Sequence, residues 1–541
     1  MGCPVVRNDT VSGATNEMYH LLDEAPVSRF HWLIVFTAGM GFFTYAYDIF
    51  IIGTATTLLT PIFHLDTAQL AVLDSVLPLA AIAGALVFGK FMDVIGRKKM
   101  YGIEAMLLTA GAVLAAFSWN FTSLLVFLVV IGIGIGGDVP TSGVVASEYS
   151  NRRHRGRLVG AVFAMQGFGL VAGSAVASVL IAAGVPNDVS WRLMLGVGAV
   201  PAVSVIYLRR KIRETPRFTF GVRGDAQTTA ETVRWAVGEY PALVVPLLEF
   251  HDGVGDGVVG SANDSMGGSE SGSAAAYMRD SMGDEASGSV NDSMVSSTAS
   301  GASGSTPGGV RAKLTSRPFL LRLIGTAGTW FLVDIAYYGN SASSPLILKT
   351  LQPHGTLLSH TLILLAIFAV AALPGFWTAV WLMDRIGRKR IQLQGFLAMT
   401  VIFAAIALIP GVTRDVWAFV ALFAASYFFI EYGPNETTFV YGSEMFPATI
   451  RGMGDGISAS MGKFGAFLGG LCVPPLLRVA GISGVMGAMA IVSLGGAMLT
   501  ILALPEPKGQ TLEQASADGG FVLDPTRYPP RLQPGGESAM L

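Results

Sequence analysis

Long apolar runs, broken by short polar turns, occupy most of the chain. A bilayer core of roughly 30 Å needs about 20 apolar residues per crossing helix. Runs of that length begin near Trp32, Leu70, Tyr101, Leu124, Leu158 and Trp191. After a long polar interruption, others begin near Pro318, Leu358, Ile391, Val416, Gly454 and Ser483. The pattern predicts an all-α membrane protein with 12 transmembrane helices in two six-helix bundles.

Composition points the same way. Only 13% of the 541 residues are charged and 52% are hydrophobic, whereas soluble domains carry about 25% charged residues. Too few charges remain to cover a solvated surface, so lipid is the solvent for most of the chain. A net charge of −2 implies no nucleic-acid partner. Cys3 and Cys472 are too few and too separate for a disulfide framework. No nucleophile–base pair or metal-ligand spacing appears, so an enzyme is disfavoured and neither cofactor nor metal is expected.

Basic residues set the orientation. Lys90, Arg97, Lys98 and Lys99 follow the second run, and Arg152, Arg153, Arg155 and Arg157 follow the fourth. Arg209, Arg210, Lys211 and Arg213 close the sixth, and Arg385, Arg388, Lys389 and Arg390 follow the eighth. Positive residues stay cytoplasmic, so both termini and the central segment are expected there. The expected plan is an N-terminal tail (1–29), a first bundle (30–208), a cytoplasmic, largely disordered linker (209–317), a second bundle (318–504) and a C-terminal tail (505–541). Between 252 and 309 the linker is rich in Gly, Ser, Asp and Met, too poor in apolar groups to order itself. It reads as a flexible tether, with a phosphorylated regulatory region as the alternative.

The halves repeat each other. Asp93-Val94-Ile95-Gly96-Arg97-Lys98-Lys99 recurs as Asp384-Arg385-Ile386-Gly387-Arg388-Lys389-Arg390. Ser147-Glu148 followed by Arg155-Gly156 recurs as Ser443-Glu444 followed by Arg451-Gly452. Parallel repeats of this kind mark major facilitator transporters, so that fold is expected. The acidic and basic members, Asp93, Arg97, Glu148 and Arg155 with Asp384, Arg388, Glu444 and Arg451, are candidates for a cytoplasmic gate holding the bundles together. Alternatively, the positive residues only fix topology. The stretch from Gly132 to Gly137 fits a nucleotide-binding glycine pattern but lies inside an apolar run, so it fails its context test.

Ionisable groups at membrane depth are costly and usually functional. Asp48, Glu104, Asp138, Asp334, Glu431 and Lys463 lie inside the runs, with Gln166, Trp330, Tyr338 and Asn435 as polar neighbours. Trp330, Asp334 and Tyr338 are spaced by four and share one helix face. Several acids with one lysine suit a cavity that binds protons as well as a solute. For Glu104 and Asp138 the competing reading is a structural pair with an arginine or lysine. Glu431 reads as structural.

These residues also carry a resemblance. Gly39-Met40-Gly41-Phe42-Phe43 leading to Ala46-Tyr47-Asp48, Gly136-Gly137-Asp138 with Pro140, and the run Ala161 to Gly169 resemble phosphate:proton symporters of the major facilitator superfamily. So do Thr329-Trp330-Phe331-Leu332-Val333-Asp334 with Tyr337-Tyr338, Gly433-Pro434-Asn435 with Thr437-Thr438-Phe439, and Gly456-Ile457-Ser458-Ala459 with Gly462-Lys463. The resemblance covers nearly all twelve runs. It implies that Gln166, Trp330, Asp334, Tyr338 and Asn435 line a phosphate site. It implies that Asp48, Glu104 and Asp138 serve a proton route and that Lys463 responds to charge in the cavity. Two positions depart from that family: Tyr45 stands where a second aspartate is common, and Val139 where a tyrosine is usual.

The expected function is inorganic phosphate:proton symport by alternating access in the plasma membrane, with phosphate, protons and the bilayer as partners. The alternatives are a carrier of a larger phosphorylated or organic solute, such as a glycerophosphodiester, and a phosphate sensor.

Overall fold

The computed structural model describes residues 19–237 and 317–516, apart from 342–346, 349–350 and 353. Eleven of the described helices are long and apolar enough to cross a bilayer. The first bundle comprises α1 (Arg29–Phe63), α2 (Thr67–Ile95), α3 (Arg97–Ala116), α4 (Phe121–Tyr149), α5 (Arg155–Ala182) and α6 (Asn187–Lys211). Two short helices follow, α7 (Pro216–Gly221) and α8 (Ala226–Val237). The second bundle comprises α9 (Arg317–Ser341), α10 (Leu357–Ile386), α11 (Arg388–Leu408), α12 (Val416–Glu444) and α13 (Arg451–Ala503). A final short helix, α14, spans Leu512–Ala515.

Helix α13 has 53 residues, roughly 80 Å at the α-helical rise. That is more than twice the bilayer core. It turns at Gly481, where φ is 65° and ψ is −171°, a conformation a side chain would oppose. Its arms before and after Gly481 are separate spans, which brings the crossings to twelve. The expected six-plus-six layout is therefore present.

The repeat governs the turns. Gly96 separates α2 from α3 with φ 115°, and Gly387 separates α10 from α11 with φ 104°. A side chain at either place would be strained. Two helices break in mid-span. A π-turn occupies Phe368–Ala372 in α10, and another occupies Glu431–Asn435 in α12. Pro434 cannot donate to the helix ladder, and Gly433 leaves helical geometry altogether (φ −106°, ψ −109°).

The faces that remain open are apolar. Val479, Leu502 and Leu408 are 88%, 79% and 78% exposed, as suits lipid contact. Within each half, α1 packs on α5, α2 on α4, and α9 on α13. Between the halves, the seams are α2 against α13 and α5 against α10. Arg97, Arg155, Arg217 and Arg451 are fully buried at one end of the molecule, termed the terminal end because the described residues begin and finish there.

The segment read as a tether begins with ordered structure. Arg209 belongs to α6, and α7 and α8 pack at the terminal end. The glycine-rich part, 252–309, lies outside the described residues, as do the first 18 residues and those after 516.

Candidate functional site

Four side chains meet across the halves at mid-span. Tyr45 comes from α1, Asp334 and Tyr338 from α9, and Lys463 from α13. Lys463 donates to the Tyr45 hydroxyl at 2.5 Å and lies 3.6 Å from the Asp334 carboxylate. The Tyr45 and Tyr338 hydroxyls hydrogen-bond to each other. Lys463 also sits 4.6 Å from the Tyr45 ring centroid and 5.4 Å from that of Tyr338, within cation–π range. All four groups are at least 94% buried.

Two further members of the set stand close by in the fold. Trp330 is one helical turn before Asp334 and packs edge-on against Phe439, 6.5 Å between centroids. Asn435 projects from the π-turn of α12 and donates to Glu431 at 2.5 Å. Glu431, expected to be structural, thus holds a site amide in place, and its second carboxylate oxygen has no hydrogen-bond partner among the described residues. Gln166 is buried on α5.

The expected proton groups lie apart from this cluster, inside the first bundle. The Asp48 carboxylate faces Gly198 on α6, and one of its oxygens has no hydrogen-bond partner among the described residues. Glu104 accepts from Thr141 at 2.6 Å. Asp138 is ion-paired with Arg209 at 2.9 Å and accepts from Ser142 at 3.0 Å. Arg209 lies 4.0 Å from the Tyr101 ring centroid. The arginine read as a topology signal therefore reaches back into the bundle, and Asp138 has the structural pair weighed against its proton role. Val139, beside it, is buried.

At the terminal end the repeated residues interlock. Asp93 accepts the N–H groups of Gly452 and Met453 at 3.0 and 2.8 Å, at the start of α13. Asp384 accepts those of Gly156 and Arg157 at 3.1 and 2.8 Å, at the start of α5. Each half thus caps a helix N-terminus of the other, where backbone donors and dipole both favour an anion. Arg97 reaches Glu148 at 3.2 Å and Asp93 at 3.4 Å. Arg388 reaches Glu444 at 2.9 Å and Asp384 at 3.0 Å. Arg451 crosses to Glu148 at 2.7 Å.

The chain matches the Major Facilitator Superfamily over residues 38–442. It is 31% identical to a probable inorganic phosphate transporter (1-7) of Arabidopsis thaliana, over 94% of this chain and 96% of that protein. It is also 31% identical to a repressible high-affinity phosphate permease of Neurospora crassa, over 92% of this chain and 88% of that one. The chain belongs to the inorganic phosphate transporter family of the major facilitator superfamily. It is a multi-pass membrane transporter and not an enzyme. The fold agrees with that of the proton:xylose symporter XylE bound to 6-bromo-6-deoxy-D-glucose. There the TM-score is 0.68 at 18% identity, covering 91% of this chain and 99% of that one.

Against this family background, several residues of the transporter escaped sequence reasoning. Tyr45 was noted only as a departure, yet it is the first bundle's contribution to the lysine cluster. Asp23, ahead of α1, pairs with Arg155 at 2.9 Å and with Arg217 at 3.0 Å. Arg217 also holds Glu513 of α14 at 2.9 Å. Glu214 caps α3 through the Arg97 N–H at 2.9 Å, and Glu506 caps α11 through Arg388 and Lys389 at 3.1 and 3.0 Å. Glu436 and Asp455, both buried, belong to neither the repeat nor the resemblance. The available signal for these last two was an acid at the edge of an apolar run.

Proposed function

We propose that this transporter imports inorganic phosphate together with protons, by alternating access. The observation that carries the reading is the Lys463 cluster. A lysine is held at mid-span by a tyrosine hydroxyl from the first half and a carboxylate from the second. A phosphate entering there would offer Lys463 an anionic partner in place of Tyr45 and Asp334. Lysine is a compact point charge that suits such an exchange. Tyr45, Tyr338, Trp330, Asn435 and Gln166 are hydrogen-bond donors for phosphate oxygens, and Asp334 can accept from a protonated one.

Because Lys463 takes its partners from both bundles, an anion that displaces Tyr45 changes how the halves hold each other. Protons are needed for a physical reason. Moving one charge against 100 mV costs about 2.3 kcal/mol, so a monovalent phosphate needs more than one proton for an interior-negative potential to drive it inward. Asp48 and Glu104 supply carboxylates for that purpose. Asp138 does so only if its pair with Arg209 opens. The interlocked terminal end is the cytoplasmic gate, in a membrane that we take to be the plasma membrane, with both termini inside the cell. Its closure here corresponds to the phase of the cycle in which the cavity is sealed from the cytoplasm.

The test is radiolabelled phosphate uptake by the purified protein in proteoliposomes. Uptake should rise with an inward proton gradient and be lost in Asp334→Asn. Uptake indifferent to the gradient would overturn symport, and normal uptake by Asp334→Asn would remove that residue from the site.

A further inference from the structure

Two carboxylates that the mechanism above does not use are buried on the seam between the halves, Glu436 on α12 and Asp455 on α13. Both are 0% exposed, and none of their four oxygens has a hydrogen-bond partner among the described residues. Each points onto a glycine of the opposite half. A Cβ at Gly160 of α5 would lie 2.6 Å from Glu436 Oε1. One at Gly143 of α4 would lie 3.3 Å from Asp455 Oδ2. The glycines leave the gaps into which the carboxyl groups fit when the seam is shut.

Their surroundings offer little compensation for a negative charge. Toward Glu436, α5 presents Gly160, whose other near neighbours are the apolar Val380 and Met383 of α10, while the titratable neighbour is another acid, Glu431 on its own helix. Toward Asp455, α12 presents Gly442, which also borders the Trp330 ring of α9. Its charged neighbours are Asp93 of α2 and Arg451 of α13, and Arg451 is committed to Glu148 at 2.7 Å. An ionised carboxylate buried without a partner is strongly disfavoured, so such a group takes up a proton instead. Neither constraint survives once the halves part and water reaches the seam.

We propose that Glu436 and Asp455 are proton-binding groups of the gating step, each protonated while the terminal end is shut and each releasing its proton to water on that side when the seam opens. Opening then costs less as the pH on that side rises, and closing draws protons from it. The inference rests on the alternating-access reading but not on the identity of the solute.

The test uses the full-length protein with Cys3→Ser, Cys472→Ala and Ser147→Cys. Ser147 is buried on α4, with its hydroxyl on the Ser443 carbonyl across the seam at 3.4 Å. A thiol there reacts with a maleimide when the terminal end opens. Its labelling rate is measured from about pH 6 to about pH 8.5, normalised at each pH to the same protein unfolded in detergent. Release of one proton changes an equilibrium by up to about tenfold per pH unit, so the normalised rate should climb steeply with pH. With Glu436→Gln and Asp455→Asn together, it should stay low and flat. A flat profile in the parent, or a retained slope in the double variant, overturns the inference. If the double variant does not fold, each single variant must lose part of the slope, and a full slope in both overturns it. Proton-driven phosphate uptake, measured on the same preparation, separates the two claims. A flat labelling profile with normal uptake sinks only the present inference, and a steep profile without uptake sinks only the phosphate reading.

Discussion

The interlocked terminal end, proposed above as the gate, and the mid-span cluster handle charge in opposite ways. In the gate the two halves do the same thing twice. Asp93 and Asp384 each cap a helix of the other half, and Glu214 and Glu506 each cap the helix after a repeated glycine turn. At mid-span nothing is duplicated. The first bundle neutralises Asp138 internally with Arg209, whereas the second leaves Asp334 and Lys463 facing Tyr45 of its partner. In the proposed gate both halves must shut alike, and the reciprocal caps by Asp93 and Asp384 meet that requirement. The proposed phosphate site needs one charge in one place, and Lys463 is the lysine that supplies it.

Breaking the asymmetric part should have the largest effect. Removing one partner of a buried ion pair costs about 3–5 kcal/mol, and each 1.4 kcal/mol is a factor of about ten. Lys463→Met also removes the cation that a bound phosphate would meet, and losing one buried charged contact costs about 2–5 kcal/mol of affinity, so uptake per folded molecule should fall by about 100-fold or more. Arg209→Met, which breaks the internal pair of the first bundle, should reduce the amount of folded protein while sparing phosphate affinity in what remains. Equal loss of affinity in both variants would erase the distinction between site and scaffold.

How much of this was legible follows the same division. Asp93, Glu148, Asp384 and Glu444 could be found because a motif occurs twice and each copy follows an equivalent span. Asp334 and Lys463 could be found because a charge inside an apolar run is costly. Arg209 reads only as a topology signal because it sits in a basic cluster at a span's end. Nothing local says that a long side chain will turn back to meet Asp138. Asp23, Arg217 and Glu513 were out of reach for another reason. They lie on segments that look like tails and linker, and their pairing exists only after all twelve crossings have brought three distant stretches together. The crossing after Gly481 was legible, since the apolar pattern marks a new span near Ser483 and the backbone leaves helical geometry at Gly481.

Within the gate the symmetry is imperfect. Arg451 crosses to Glu148, but its counterpart Arg155 turns to Asp23 and to the Gln510 carbonyl at 3.0 Å. Glu148 therefore serves two arginines, Arg97 and Arg451, while among the described residues the Glu444 side chain hydrogen-bonds Arg388. Glu148→Gln should open the terminal end more than Glu444→Gln does, by about tenfold in the labelling rate of Ser147→Cys, given that one unmade charged hydrogen bond is worth about 1.5–3 kcal/mol. Asp93→Asn and Asp384→Asn are the symmetric control. Each weakens one helix cap, worth about 1 kcal/mol, so the two should raise labelling alike, by about fivefold. A clear inequality between them would show that the halves do not shut equally.

The smallest effect belongs to the latch formed by the C-terminal segment. Burial alone would push the Glu513 carboxyl up, but the Arg217 guanidinium outweighs it and holds the group down at about 2. A carboxyl depressed on docking stabilises the docked form above its free value near 4.5, and that contribution fades as pH falls toward 2. Pepsin, active in this range, should therefore cut near α14 faster as pH drops from about 4.5 to about 2.5. Glu513→Gln, which cannot ionise, should show the fast cleavage throughout and little pH dependence of its own. The latch ties α14 to Arg217 and, through Asp23, to the start of the first bundle, whereas the mutual caps by Asp93 and Asp384 span the seam without it. Loss of Glu513 should therefore change phosphate uptake less than loss of either cap. A larger change would make the terminal latch, rather than the duplicated gate, the element that keeps the halves shut.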